Sequence, residues 1–166
     1  MNAKQFDAMI LRPVLAALHP LIPNTESARR LMLGTAAHES GGFKWIDQIT
    51  GNPLDPDGPA FSYYQIERRT HDDVWDSFLA FRAELAARIQ RFSISGIETV
   101  KQMQGNAYYA TAIARVIYYR AKPPLPAADD VVLLAEYHKK HYNTALGKAT
   151  PADFVNAVSR HLGGVW

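Results

Sequence analysis

A mainly α fold in a single domain is what this sequence predicts, on three observations. The segments with a clear apolar period repeat at helical spacing. Strand signals are poor. The 166 residues, 48% of them apolar, suit one domain with a core of its own. Residues 1–166 are read as one unit, with no internal repeat and no low-complexity tract.

The elements follow in order. Phe6, Met9, Ile10, Val14, Leu15 and Leu18 form an apolar stripe that predicts a helix over 3–18, ended by Pro20 and Pro23. Asn24 or Thr25 caps a second helix that runs to about Ser40. Residues 41–69 read as a loop, because "GNPLDPDGPAFS" is dense in turn residues, with a small β-hairpin around "AFSYYQI". A connection that long is usually functional. Helical patterns return in "THDDVWDSFLAFRAELAARIQRF", "SGIETVKQMQG", "NAYYATAIARVIYYRA" and "PAADDVVLLAEYHKKHY". In the closing "ATPADFVNAVSRHL", Thr150 is an N-cap, Pro151 takes the first helical position and Asp153 falls in the first turn.

Composition removes several classes. There are no cysteines, so disulfides and cysteine-ligated zinc are excluded. A net charge of +2 argues against a dedicated nucleic-acid binder, which needs a basic face. No stretch approaches the roughly 20 apolar residues of a membrane span. The first twenty residues do not read as a secretory signal, since Arg12 and Pro13 interrupt the apolar part.

The second helix carries the chemistry. Ala28, Met32, Thr35, Ala36 and Glu39 share one face, while Arg29 and Arg30 fall on the opposite flank. Glu39 therefore leaves the core-facing stripe at the last turn. Partial burial and the negative end of the helix dipole both disfavour a charged carboxylate there. Gly41 and Gly42 permit the turn that ends the helix and are expected to leave open space beside the acid. A carboxyl group kept protonated beside a cleft is what a general acid needs. The competing reading is an ordinary acid, exposed or paired with an arginine.

"HESGGF", followed some twenty residues later by "GPAFSYYQIE", resembles the lysozyme-like superfamily, nearest to the lytic transglycosylases and goose-type lysozymes. The resemblance covers residues 28–70 well and the rest by helix order only. It implies a lysozyme-like domain with helices around a substrate cleft. Glu39 would take the place of the catalytic acid and Ser40 that of its neighbouring serine. Gln65 would fall on the substrate-lining glutamine and Ile66 on the apolar residue after it, with Gly58 and Ser62 at small-residue positions. Where the family commonly has Gly-Leu-Met before that glutamine, this chain has Ser62-Tyr63-Tyr64, which implies a reshaped subsite that Tyr64 would line. "LLAEYHKKHYNTALGKA" is similar to the family's last motif and could place its tyrosine at Tyr137 or Tyr142. Tyr137 shares a face with Leu133, Leu134 and His141, which favours it as a partner of the acid.

The implied substrate is the β-1,4 bond between N-acetylmuramic acid and N-acetylglucosamine in peptidoglycan. Glycoside hydrolases usually need two carboxylates. None of Asp47, Asp55, Asp57, Glu67, Asp72 and Asp73 stands out as the second. The resembled transglycosylases use one glutamate, which protonates the leaving oxygen and then deprotonates the muramyl 6-hydroxyl. The resembled lysozymes use water, and the sequence leaves both open. A structural or glycan-binding module without catalysis is a further alternative. Phe43, Trp45, Phe61, Tyr63 and Tyr64 lie in or beside the loop, where one or two are expected to meet sugar. Tyr108, Tyr109, Tyr118 and Tyr119 read as packing, with one at the cleft. His138 and His141 stand three apart on a helix, and His71 precedes Asp72 and Asp73, but no full ligand set emerges. No metal and no cofactor are expected. The resemblance further implies a monomer carried to the bacterial wall as a phage virion or lysis component, with other virion or lysis proteins as partners.

Overall fold

The computed structural model describes residues 1–47, 58–143 and 148–166. Helices dominate them, as expected. α1 (Ala3–Phe6) runs through a π-helical turn at Asp7–Leu11 into α2 (Arg12–Leu18). Pro13 is the local cause, because it has no N–H to offer the carbonyl of Met9. The Tyr108 hydroxyl donates to that carbonyl instead, at 2.7 Å. The Arg12 N–H bonds to the Asp7 carbonyl five residues back.

α3 (Glu26–Glu39) starts at Thr25, whose side chain accepts from the Ala28 N–H. β1 (Ala60–Phe61) and β2 (Ile66–Glu67) form the small antiparallel hairpin, with Phe61 opposite Ile66. Its connection turns on Ser62 and Gln65, both at positive φ. α4 (Arg68–Asp73) continues through a π turn and a short 3-10 segment towards α5 (Ala83–Gln90). α6 (Thr99–Gly105), α7 (Ala107–Tyr119), α8 (Val131–His141) and α9 (Pro151–His161) complete the chain. At α9 the capping box between Thr150 and Asp153 forms, with Pro151 in the first turn.

Two helices make the centre. α7 is buried at every position from Tyr109 to Tyr118, and α3 from Leu31 to Ala37. A helix apolar on all sides belongs inside a core, and the alanines of both let neighbours approach closely. α3 packs against α7, α8 and α9, which brings its C-terminal end beside α8 and α9. No described helix is long and apolar enough to cross a membrane.

One expectation is corrected at α3. Helical spacing puts Arg29 on the flank opposite the core stripe, yet it is 6% exposed. It pairs with Asp7 at 3.2 Å and with Glu26 at 2.6 Å, and it donates to the carbonyl of Val165. The periodicity of α3 alone does not reveal this, since two of the partners come from the π turn and the C-terminal segment. Hydrogen bonds from Arg29, and also from Arg30, lower the Glu26 pKa from 4.5 to about 2. The folded value is depressed, so this contribution to stability is complete above about 4.5 and disappears as pH falls towards 2. Glu26→Gln should therefore flatten the pH dependence of unfolding free energy across that window, measured by urea melts. An unchanged slope would remove Glu26 from the acid response.

Candidate functional site

Glu39 is the last residue of α3, and its side chain is 18% exposed. The turn that follows is built by Ser40. Its hydroxyl donates to the Ala36 carbonyl at 2.6 Å and accepts from the Phe43 N–H at 2.7 Å. Gly41, Gly42 and Phe43 all take positive φ, and the Gly42 N–H reaches back to the Ala37 carbonyl. The chain thus reverses at once beyond the acid. The glycines do not leave open space there. A Cβ on Gly42 would lie 2.5 Å from the His161 ring, and one on Gly41 would meet Trp45 at 3.3 Å. Gly42 is required so that the His161 ring can pack on the turn, a contact no local pattern announces.

Across from Glu39 stands His138 of α8, 2% exposed. Its Nε2 lies 3.3 Å from Glu39 Oε1. Its Nδ1 lies 2.8 Å from the Tyr118 hydroxyl, which lies 2.6 Å from Thr35 Oγ1, which donates to the Leu31 carbonyl at 2.8 Å. The last group can only accept, so one proton order of the chain has each hydroxyl donating towards it. In that order Thr35 gives its proton to Leu31, Tyr118 gives its own to Thr35, and Nδ1–H of His138 donates to Tyr118. In the neutral ring Nε2 then carries a lone pair aimed at Glu39, and it makes no hydrogen bond to any described residue. A bare carboxylate opposite a bare lone pair is repulsive. The contact is favourable when one proton lies between them, on the carboxyl group or on the ring.

His38 closes the other side. Its ring stands edge-on to His138, with centroids 5.3 Å apart, and lies 6.1 Å from Phe154. Burial lowers its pKa against the pull of Glu39 and a hydrogen bond with the Asp153 backbone. Tyr142 stacks on both Tyr118 and His138, at 5.1 and 5.4 Å, and its hydroxyl donates to the Tyr64 carbonyl at 2.7 Å. Burial, then the charges of Glu39 and its neighbours, raises the Tyr142 pKa far above its usual value. His38, Glu39 and His138 offer one donor atom each within 4.8 Å of one another, a set able to hold a divalent cation.

The residues expected from sequence divide clearly. Glu39 and Gln65 keep accessible surface, whereas Ser40, Tyr64, Ile66 and Tyr137 are buried. Substrate contact through Ser40, Tyr64 or Ile66 is corrected accordingly. Ser40 spends its hydroxyl on the turn, Ile66 fills the core, and the Tyr64 ring packs against Phe6. Tyr137 donates to the Pro123 carbonyl at 2.9 Å, so its hydroxyl serves backbone rather than the acid. Of the two candidate tyrosines, Tyr142 is the one whose titration feels Glu39. Asp72 pairs with His71 and Asp73 with Arg120, while Asp55 and Asp57 lie outside the described residues. Of the loop aromatics, Phe43, Phe61 and Tyr64 close the core and Trp45 stays exposed. Tyr109 and Tyr118 are buried while Tyr108 and Tyr119 face outward. His138 turns to Glu39, whereas His141 lies against Tyr137, so the pair three apart does not act together.

Fold and site together define a mainly α domain with a histidine-backed carboxyl group at a helix end. No protein-family model, curated protein or solved structure matches this chain.

Proposed function

We propose that this protein cleaves the β-1,4 bond between N-acetylmuramic acid and N-acetylglucosamine in peptidoglycan, as a lytic transglycosylase with Glu39 as its acid and base. The observation that carries the reading is the Glu39–His138 contact. A partly exposed carboxyl group lies 3.3 Å from Nε2 of His138, whose Nδ1 faces the Tyr118 hydroxyl, so a proton on Glu39 has an acceptor beside it at the end of a buried helix. Glu39 donates that proton to the glycosidic oxygen as the bond breaks. The resulting carboxylate then takes the proton of the muramyl 6-hydroxyl, which closes on the anomeric carbon. His138, held by Tyr118, orients the carboxyl group and does not touch the sugar. The resemblance to lysozyme-like enzymes supplies the substrate class and supports a single lysozyme-like domain. It also supports delivery to the wall as a monomeric phage virion or lysis component, acting beside other such proteins.

Water in place of the 6-hydroxyl would make the same site a hydrolytic muramidase. The His38–Glu39–His138 set supports a second reading, a metal-dependent hydrolase, because both rings are held through neighbours that leave a donor facing the acid. Mass spectrometry of fragments released from purified walls tests these together. Anhydromuramyl ends are the expected product, and reducing ends would assign the muramidase. Free stem peptides, with activity lost to a chelator and restored by zinc, would replace Glu39 chemistry with the metal reading. Complete absence of fragments would leave a glycan-binding or structural module.

A further inference from the structure

Arg115, in the middle of α7, is 3% exposed. Among the described residues no carboxylate pairs with it. Its Nη2 donates to the Pro23 carbonyl at 3.2 Å, and its Nε makes no hydrogen bond. Burial lowers its pKa to about 10, so the guanidinium is still charged at neutral pH. The Tyr119 ring lies 5.9 Å from the guanidinium carbon, but a ring face does not replace an anion, and a buried cation without one is costly.

The missing anion has a place to sit. Arg115 lines a cavity of about 380 Å³, within the range of small-molecule sites. Tyr118, Tyr119, Pro124 and Leu125 give it ring and aliphatic walls, and Thr25 and Lys122 stand among its polar lining. Among the described residues no aspartate or glutamate lines it. Thr25 caps the fourteen-residue α3, so the positive end of that helix dipole adds to the field.

We propose that this cavity binds a small monocarboxylate with an aromatic or apolar body, its carboxylate on Arg115. One buried guanidinium compensates one negative charge, and its two Nη groups form a fork that matches the two oxygens of a carboxylate. A phosphate dianion would need a second buried cation, and Lys122 is exposed. The walls ask for a flat or apolar body rather than a bare ion. Glu39 does not line this cavity, which shares Tyr118 with the Glu39 network, and the assignment stands whether or not the chain cleaves glycan.

Benzoate is the probe, with benzyl alcohol as its uncharged counterpart and inorganic phosphate as the competing anion. Titrating the wild-type chain with benzoate should move the Arg115 Nε–H signal saturably in nitrogen-edited NMR. Benzyl alcohol should bind at least tenfold more weakly, and phosphate should leave that signal in place. Arg115→Met should weaken benzoate at least tenfold, and Glu39→Gln should not change it. Should Arg115→Met fail to fold, the wild-type Nε–H shift and the benzyl alcohol comparison decide alone. No saturable shift, equal binding of benzyl alcohol, or a response to phosphate in place of benzoate would each overturn the assignment.

Discussion

Glu39→Gln is expected to lower fragment release from purified cell walls by about 10²–10⁴-fold, the range a positioned acid/base group contributes. The amide keeps the shape of the carboxyl group but cannot give up a proton to a leaving oxygen. It also keeps the contact with His138, because an amide N–H can donate to the Nε2 lone pair that now faces Glu39 at 3.3 Å. The melting temperature should therefore stay level or rise slightly while activity collapses. That combination separates a catalytic carboxyl group from a structural one, whose loss lowers stability. Undiminished clearing by Glu39→Gln, or a fall of many degrees in melting temperature, would defeat the acid reading.

The helices and the position of Glu39 were legible because both depend on local spacing. Phe6, Val14, Leu15 and Leu18 repeat at the helical period and are buried, and the stripe through Met32 and Ala36 delivers Glu39 to the end of α3. The chemistry around Glu39 depends on α8, and spacing within α3 carries no signal about which residue of α8 will face it. His138 was visible only as half of a pair with His141, and the structure turns the two apart. The two tyrosines fail for a related reason. Helical spacing favours Tyr137, but Tyr142 lies beyond the last residue of α8, where that spacing no longer applies. Arg29 and Gly42 were misread because the groups that bury them, Asp7 and His161, lie far away along the chain. His38, next to the acid in "AHES", went unread in the sequence, although its adjacency to Glu39 was the one local signal of a second titratable group.

Gly34→Ala is expected to destabilise the protein by about 1–3 kcal/mol, the usual cost of overpacking, although alanine is the better helix former by about 1 kcal/mol. The cause is a single ring. A Cβ on Gly34 would come within 2.3 Å of the tip of Phe154, which is fully buried. That ring cannot simply swing aside, because His138 lies 5.0 Å from it and His38 6.1 Å. Gly34 thus sets the distance between α3 and α9 and, through Phe154, the seat of both histidines beside Glu39. Phe154→Leu alone opens a gap and should also destabilise, yet it shortens the side chain that the new methyl would strike. The double variant should accordingly be more stable than the sum of the two single losses, by roughly 0.5–3 kcal/mol of coupling, measured by urea melts on all four chains. Activity should follow the same order, with Gly34→Ala losing more than its stability explains, because the displaced ring pushes His138 away from the acid. Simple additivity, or a Gly34→Ala variant as stable as the parent, would mean that α3 and α9 can separate without cost and that Phe154 does not seat the histidines.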